Sequence, residues 1–156
     1  MSKEKELEEF TRKLQEQIME QVKQQYTETV IAHWQNPNNF HKIEQPDGYG
    51  KVTGSCGDTM EMFIQFQGDR IAHCSFLTDG CGATIACGSI ATEIAQGKSY
   101  TEALGSVKGD EILKRLGGLP EDNVHCAFLA AETLRRALAD ALYQQRSGWK
   151  KIYKKT

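Results

Sequence analysis

Apolar residues recur along the chain with two periods, and the switch between them marks out its elements. Between residues 3 and 25, Leu7, Phe10, Leu14, Ile18 and Val22 return every three or four positions in a background of Glu, Gln and Lys. That spacing predicts an amphipathic helix with one apolar stripe. Such a face packs on its own domain or on a sister subunit, or serves as a partner-docking arm. The helical pattern runs on through Val30, Ile31 and Trp34 until Asn36-Pro37-Asn38-Asn39 breaks it. His33, near that end, reads as a satisfied or solvated helix histidine.

The period then shortens to two. Tyr49 to Ser55 is short and bounded by glycine, Thr59 to Gln67 alternates through Met60, Met62, Ile64 and Phe66, and Arg70 to Thr78 follows the turn signal Gly68-Asp69. Together they predict an antiparallel meander. In the last strand Ala72, Cys74 and Phe76 share a face, which makes Cys74 a core thiol and turns His73 outward. From Ala83 the helical period returns through Ala86, Cys87, Ile90, Ala91 and Ile94, with Cys87 on the buried stripe and Gly97 as C-cap. Short helices at Tyr100–Val107 and Asp110–Leu116, a Gly117-Gly118-Leu119-Pro120 break and a long helix from about Val124 to Gln144 complete the pattern. The class is α+β: a three-stranded antiparallel sheet packed against several helices, with an extended N-terminal amphipathic helix.

Composition narrows the chemistry. A chain of 156 residues suits one domain, burying roughly two-thirds of its unfolded surface without staples. It has an odd number of cysteines, five, no apolar run near the ~18 residues of a membrane span, and a charged start, Met1-Ser2-Lys3-Glu4-Lys5. These features point to the reducing cytoplasm and away from membranes, with thiols free or bound to metal. A net charge of -2 and a pI near 6.1 give no basic field, so nucleic acid is not an expected partner. Only the tail, with Lys150, Lys151, Lys154 and Lys155, is locally basic.

Three cysteines sit in polar settings: Gly54-Ser55-Cys56-Gly57-Asp58, Asp79-Gly80-Cys81-Gly82 and His125-Cys126. Soft thiolates with one carboxylate and one imidazole suit iron or zinc. Cys81 stands just before a helix and Cys126 in the first turn of another, where Asp122 or Asn123 can cap. The helix dipole is therefore expected to lower both thiol pKa values. There is no tight C-x2-C pair of the kind a permanent site commonly uses, and a carboxylate or imidazole in place of a thiolate loosens a bound metal, so the set reads as a temporary site. A structural zinc domain would show zinc-knuckle spacing, which is missing. A thiol enzyme, such as a sulfurtransferase with Cys126 as nucleophile, would need His125 as base, but neighbours on a helix do not face each other.

Taken in order, with a sheet before and helices between, these three motifs resemble the iron-sulfur cluster assembly scaffold family, of the IscU and NifU N-terminal type. Tyr26, Val30, His33, Asn36, Pro37 and Asn39 look like that family's opening segment, and Gly97-Lys98 with Glu102-Ala103 adds to the likeness. The resemblance covers about residues 26–145, a scaffold domain, leaving 1–25 as an N-terminal helical extension and 146–156 as a basic C-terminal tail.

The resemblance implies a scaffold or carrier rather than a classical enzyme. Cys56, Cys81 and Cys126 would ligate a transient [2Fe-2S] cluster built from iron, with Asp58 and His125 as exchangeable candidates for the fourth position and zinc in the cluster-free form. Cys126 would accept persulfide sulfur from a cysteine desulfurase. Carrier and acceptor proteins would take the cluster, and further copies of the chain would form a homo-oligomer. One stretch departs from the family pattern: where relatives read Leu-Pro-Pro-Val-Lys, this chain has Leu119-Pro120-Glu121-Asp122-Asn123. That change argues against dependence on a dedicated Hsp70-type chaperone. Retention of His125, without a long insertion between Cys81 and Cys126, favours the IscU branch over the zinc-bound sulfur-acceptor branch.

Overall fold

Alternation of side chains across the pleat fixes the sheet. In the computed structural model, which describes residues 2–153 and their side chains as far as Arg146, β1 (Gly48–Thr53), β2 (Thr59–Gln67) and β3 (Arg70–Thr78) form one antiparallel sheet in the order β1-β2-β3. β2 and β3 occupy the expected bounds, and Gly68, at φ 66, makes the tight turn that only a residue without Cβ adopts freely. One expectation fails in β3. The register shifts from Gln65↔His73 to Phe66↔Ile71, leaving Ala72 without a partner on β2. The bulge slips the alternation by one, so Ile71 rather than Ala72 joins Cys74 and Phe76 in the core. Cys74 is buried as expected, and burial pushes its thiol up to about 12.

The helices are α1 (Lys3–Gln25), α2 (Glu28–Gln35), α3 (Gly82–Ala95), α4 (Tyr100–Ser106), α5 (Gly109–Leu116) and α6 (His125–Tyr153). The helical pattern expected to run unbroken past residue 25 is in fact two helices. Tyr26 and Thr27 are extended, and Thr27 accepts a hydrogen bond from Val30 N (3.1 Å) as N-cap of α2 while donating to the Leu116 carbonyl. No residue of α1 is buried: Leu7, Phe10, Leu14 and Ile18 are 66%, 65%, 46% and 54% exposed. The stripe therefore does not pack on its own domain. Gln96, not Gly97, is the C-cap of α3, and Gly97 follows at φ 82. α4 opens with a capping box between Ser99 and Glu102. α6 passes the expected end at Gln144 because residues 144–151 are mostly good helix formers. Of the basic tail, Lys154 and Lys155 lie outside the described residues, and Lys150 and Lys151 are described by their backbone alone.

α3 and α6 cover one face of the sheet over a core that includes Met60, Met62, Ile64, Phe76, Ile90, Leu134 and Leu138. α6 lies unusually close to β1. A Cβ on Gly48 would stand 2.3 Å from the Ala137 carbonyl oxygen, and one on Gly50 would stand 2.6 Å from Ala137 N and 2.7 Å from the Thr133 carbonyl oxygen. Asp140 fastens the contact by accepting from Tyr49 N at 2.9 Å. His33 is satisfied, with Nδ1 2.8 Å from Ser89 Oγ. Among the described residues no helix is long and apolar enough to cross a membrane.

Both clashes at Gly50 are with backbone, which cannot swing aside. Gly50→Ala should therefore lower unfolding free energy by about 1–3 kcal/mol, the usual cost of overpacking, with the loss visible in the midpoint of a urea melt. An unchanged midpoint would show that α6 can lift from β1 without cost.

Candidate metal centre

Three segments meet at one end of the molecule. Asp58 closes the β1–β2 turn, in which Gly54 N donates to the Asp58 carbonyl at 2.8 Å and Gly57 takes φ 90 with nothing near its missing Cβ. Cys81 is the N-cap residue of α3, with an extended backbone and no side-chain capping bond. The loop before it is pinned to the start of β2: Thr59 N donates to Asp79 Oδ1 (2.8 Å), Thr78 Oγ1 donates to the Thr59 carbonyl (2.7 Å), and Gly80 N donates to Thr78 Oγ1 (3.1 Å). Cys126 lies in the first turn of α6. Ligand atoms of Asp58, Cys81 and Cys126 all lie within 4.8 Å of one another.

The other two site residues stand at the edge of this group. Cys56 is exposed on the turn and outside the tight cluster, though near enough that its charge raises the Cys126 pKa. His125 is also outside it, yet its Nε2 comes within 3.7 Å of Cys126 Sγ. The expectation that neighbouring residues on a helix cannot meet is thus corrected. His125 opens the helix, and its ring folds back towards the thiol. Cys87 is buried beneath the site, where burial and then the charges of Cys126 and Cys81 hold its thiol well above the ordinary range. All five cysteines are free thiols.

The electrostatics also correct an expectation. A helix N-terminus was expected to depress the Cys126 pKa, but its thiol is pushed up to about 11, first by burial and then by the charges of Cys81, Cys56 and Asp58, against a lowering hydrogen bond from Thr84. Desolvation and the neighbouring negative charges disfavour the anion by more than the Thr84 hydrogen bond favours it. Asn123 does not cap α6 with its side chain either. A 3-10 turn at Glu121–Asn123 leads into the helix, and Asn123 Nδ2 donates to Tyr26 Oη at 2.9 Å.

Two features of the site were not read from the sequence. The first is Thr84, fully buried, whose Oγ1 lies 3.0 Å from Asp58 Oδ2, 3.3 Å from Cys126 Sγ and 3.6 Å from Cys81 Sγ. Its position three residues after Cys81, on the same helix face, was the available signal. The second is Trp34. A Cβ on Gly82 would stand 2.0 Å from the indole, so the glycine after Cys81 makes room for the ring. Tyr26 packs edge-on to Trp34 at 6.0 Å. Through Asn123, Tyr26, Trp34 and Gly82 the entry to α6 is tied to the entry to α3.

Two thiols and a carboxylate, with a third thiol and an imidazole at the rim, match borderline-soft metal ions and iron with sulfide. Known proteins agree. The family model described as NifU-like N terminal domain matches residues 25–149. Iron-sulfur cluster assembly scaffold protein IscU 1 of Archaeoglobus fulgidus is 47% identical over 116 residues, covering 74% of this chain and 75% of the relative. Iron-sulfur cluster assembly enzyme IscU of Drosophila melanogaster is 39% identical over 125 residues, covering 77% and 80%. Among solved structures, a protein assigned as an iron-sulfur cluster assembly scaffold for the SUF system of Fervidobacterium islandicum superposes with a TM-score of 0.60 at 27% identity, covering 72% of this chain and 96% of that one.

Because the Cys126 thiol stays protonated until pH approaches about 11, a metal ion that binds there must expel the proton. Zinc affinity should therefore rise with pH from about 6 to about 9. Calorimetric titrations in buffers of different protonation enthalpy should show proton release that shrinks in Cys126→Ser. Equal release from that variant would remove Cys126 from the ligand set.

Proposed function

The chain belongs to the family of the NifU-like N terminal domain, and from that membership we propose how its site works. The protein is a scaffold for iron-sulfur cluster assembly. The observation that carries this reading is the approach of Asp58, Cys81 and Cys126, drawn from three separate segments, to within 4.8 Å of one another.

The cargo is a transient [2Fe-2S] cluster, held by the thiolates of Cys56, Cys81 and Cys126 with Asp58 or His125 in the remaining position. Asp58, Cys81 and Cys126 stand together already, and Cys56, on its exposed turn and near enough for its charge to act on Cys126, completes the set. Sulfur arrives on Cys126 as a persulfide from a cysteine desulfurase. The Cys126 thiolate attacks the outer sulfur, a new S–S bond forms, and the donor cysteine leaves as thiolate. Two electrons from a reducing partner then convert that sulfur to sulfide. Asp58, a harder and more readily protonated ligand than a thiolate, keeps the cluster exchangeable, so that carrier and acceptor proteins can take it.

Relatives carry both the word scaffold and the word enzyme in their names. We read this chain as a carrier, because its cargo, the cluster, leaves whole for another protein instead of being turned over. Residues 26–145 form the scaffold domain, a division supported by the span of the family model, 25–149. Residues 1–25 are an extension and 146–156 a basic tail. A site of free thiols works in a reducing compartment such as the cytoplasm.

Anaerobic reconstitution with iron and sulfide, followed by absorption and Mössbauer spectra, tests the reading. Cys56→Ser, Cys81→Ser and Cys126→Ser should each lose the cluster, while Cys74→Ser and Cys87→Ser keep it. Asp58→Ala should lengthen the cluster's lifetime. A cluster retained in Cys126→Ser, or lost faster in Asp58→Ala, would refute the assigned roles.

A further inference from the structure

The Thr84 hydroxyl sits in the middle of the ligand set. With 3.0, 3.3 and 3.6 Å to Asp58, Cys126 and Cys81 it meets all three. A threonine hydroxyl has one proton, which can reach Asp58 Oδ2 or Cys126 Sγ in turn, and lone pairs open to a thiol such as that of Cys81. The other buried helical threonines behave differently. Thr92 donates to the Gly88 and Ser89 carbonyls of its own helix, and Thr133 donates to the Leu129 carbonyl. Thr84 forgoes that local bond and turns its hydroxyl to side chains of the β1–β2 turn, of α6 and of its own helix's N-cap.

Its place is enforced by packing. A Cβ on Gly80 would stand 2.8 Å from the Thr84 Cβ, Cγ2 and Oγ1, so the residue before Cys81 leaves room for this side chain. A buried hydroxyl is costly unless bonded. Here its described partners are the ligands alone.

We propose that Thr84 is a positioning residue for the metal site: its hydroxyl holds Asp58, Cys81 and Cys126 at ligand spacing before cargo arrives and surrenders those bonds when the metal takes the ligands over. The inference deepens the scaffold reading and rests on it for the identity of the cargo. Ligands gathered in advance need no gathering on binding, so the hydroxyl raises affinity without touching the metal.

The test is anaerobic titration of metal-free protein with cobalt(II), followed by its thiolate charge-transfer absorption. Thr84→Ser and Thr84→Ala lose the same methyl group and differ only in the hydroxyl. Thr84→Ser should bind close to wild type. Thr84→Ala should bind ~10-fold more weakly or worse, the usual effect of removing a group that orients a ligand, with a weaker charge-transfer band per cobalt. Thermal melts of the two metal-free variants should coincide. Thr84→Val repeats the comparison if the alanine variant fails to fold. Equal cobalt affinity and equal spectra for the serine and hydroxyl-free variants would overturn the proposal. Failure of the wild type to build a cluster would instead strike the scaffold reading and leave the order of cobalt affinities untouched.

Discussion

Contact of backbone against backbone between α6 and β1 sets where the rest of the molecule can lie. Gly48 and Gly50 point to the same side of the strand, and the main chain of α6 occupies the space their side chains would fill. With the helix seated this low, its first turn arrives beside the β1–β2 turn, and Cys126 meets Asp58. α3 reaches the same place by similar means: Gly88 yields to the ring of Phe76, and Gly82 yields to Trp34. The metal centre is thus a by-product of how closely two helices approach one sheet.

That convergence creates a conflict between helix ends, which favour anions, and burial, which penalises them. At Cys126 burial wins. The Cys126 thiol is therefore held protonated at neutral pH, and a cation placed beside it would supply the charge that favours the thiolate. Burial also holds the thiols of Cys74 and Cys87 up, at Cys87 with the charges of Cys126 and Cys81 added.

Much of this was legible in the residues. β2 and β3 were bounded correctly because a strand with one buried face must alternate, and the motifs around Cys56, Cys81 and Cys126 stood out because polar and glycine residues surround reactive thiols. What escaped depended on contacts distant in sequence. Nothing local marks Ala72 as the bulged residue. The break at Tyr26 and Thr27 is stabilised by Leu116 and Asn123, far along the chain, and by Trp34 on the next helix. The stripe of α1 is written as clearly as any core face, yet periodicity reports that a helix has an apolar side and not what covers it. Thr84 went unread because only its spacing from Cys81 marks it, and two of its partners come from other segments.

The turn that carries Cys56 differs in kind from the rest of the site. Cys81 and Cys126 are rooted in helices packed on the sheet, whereas Cys56 rides on a few residues at the surface, beside a glycine with open space around it. Cys81 is exposed too, so the two sulfurs open to water hang from supports of unequal stiffness, and a push from outside would shift one of them far more readily than the other.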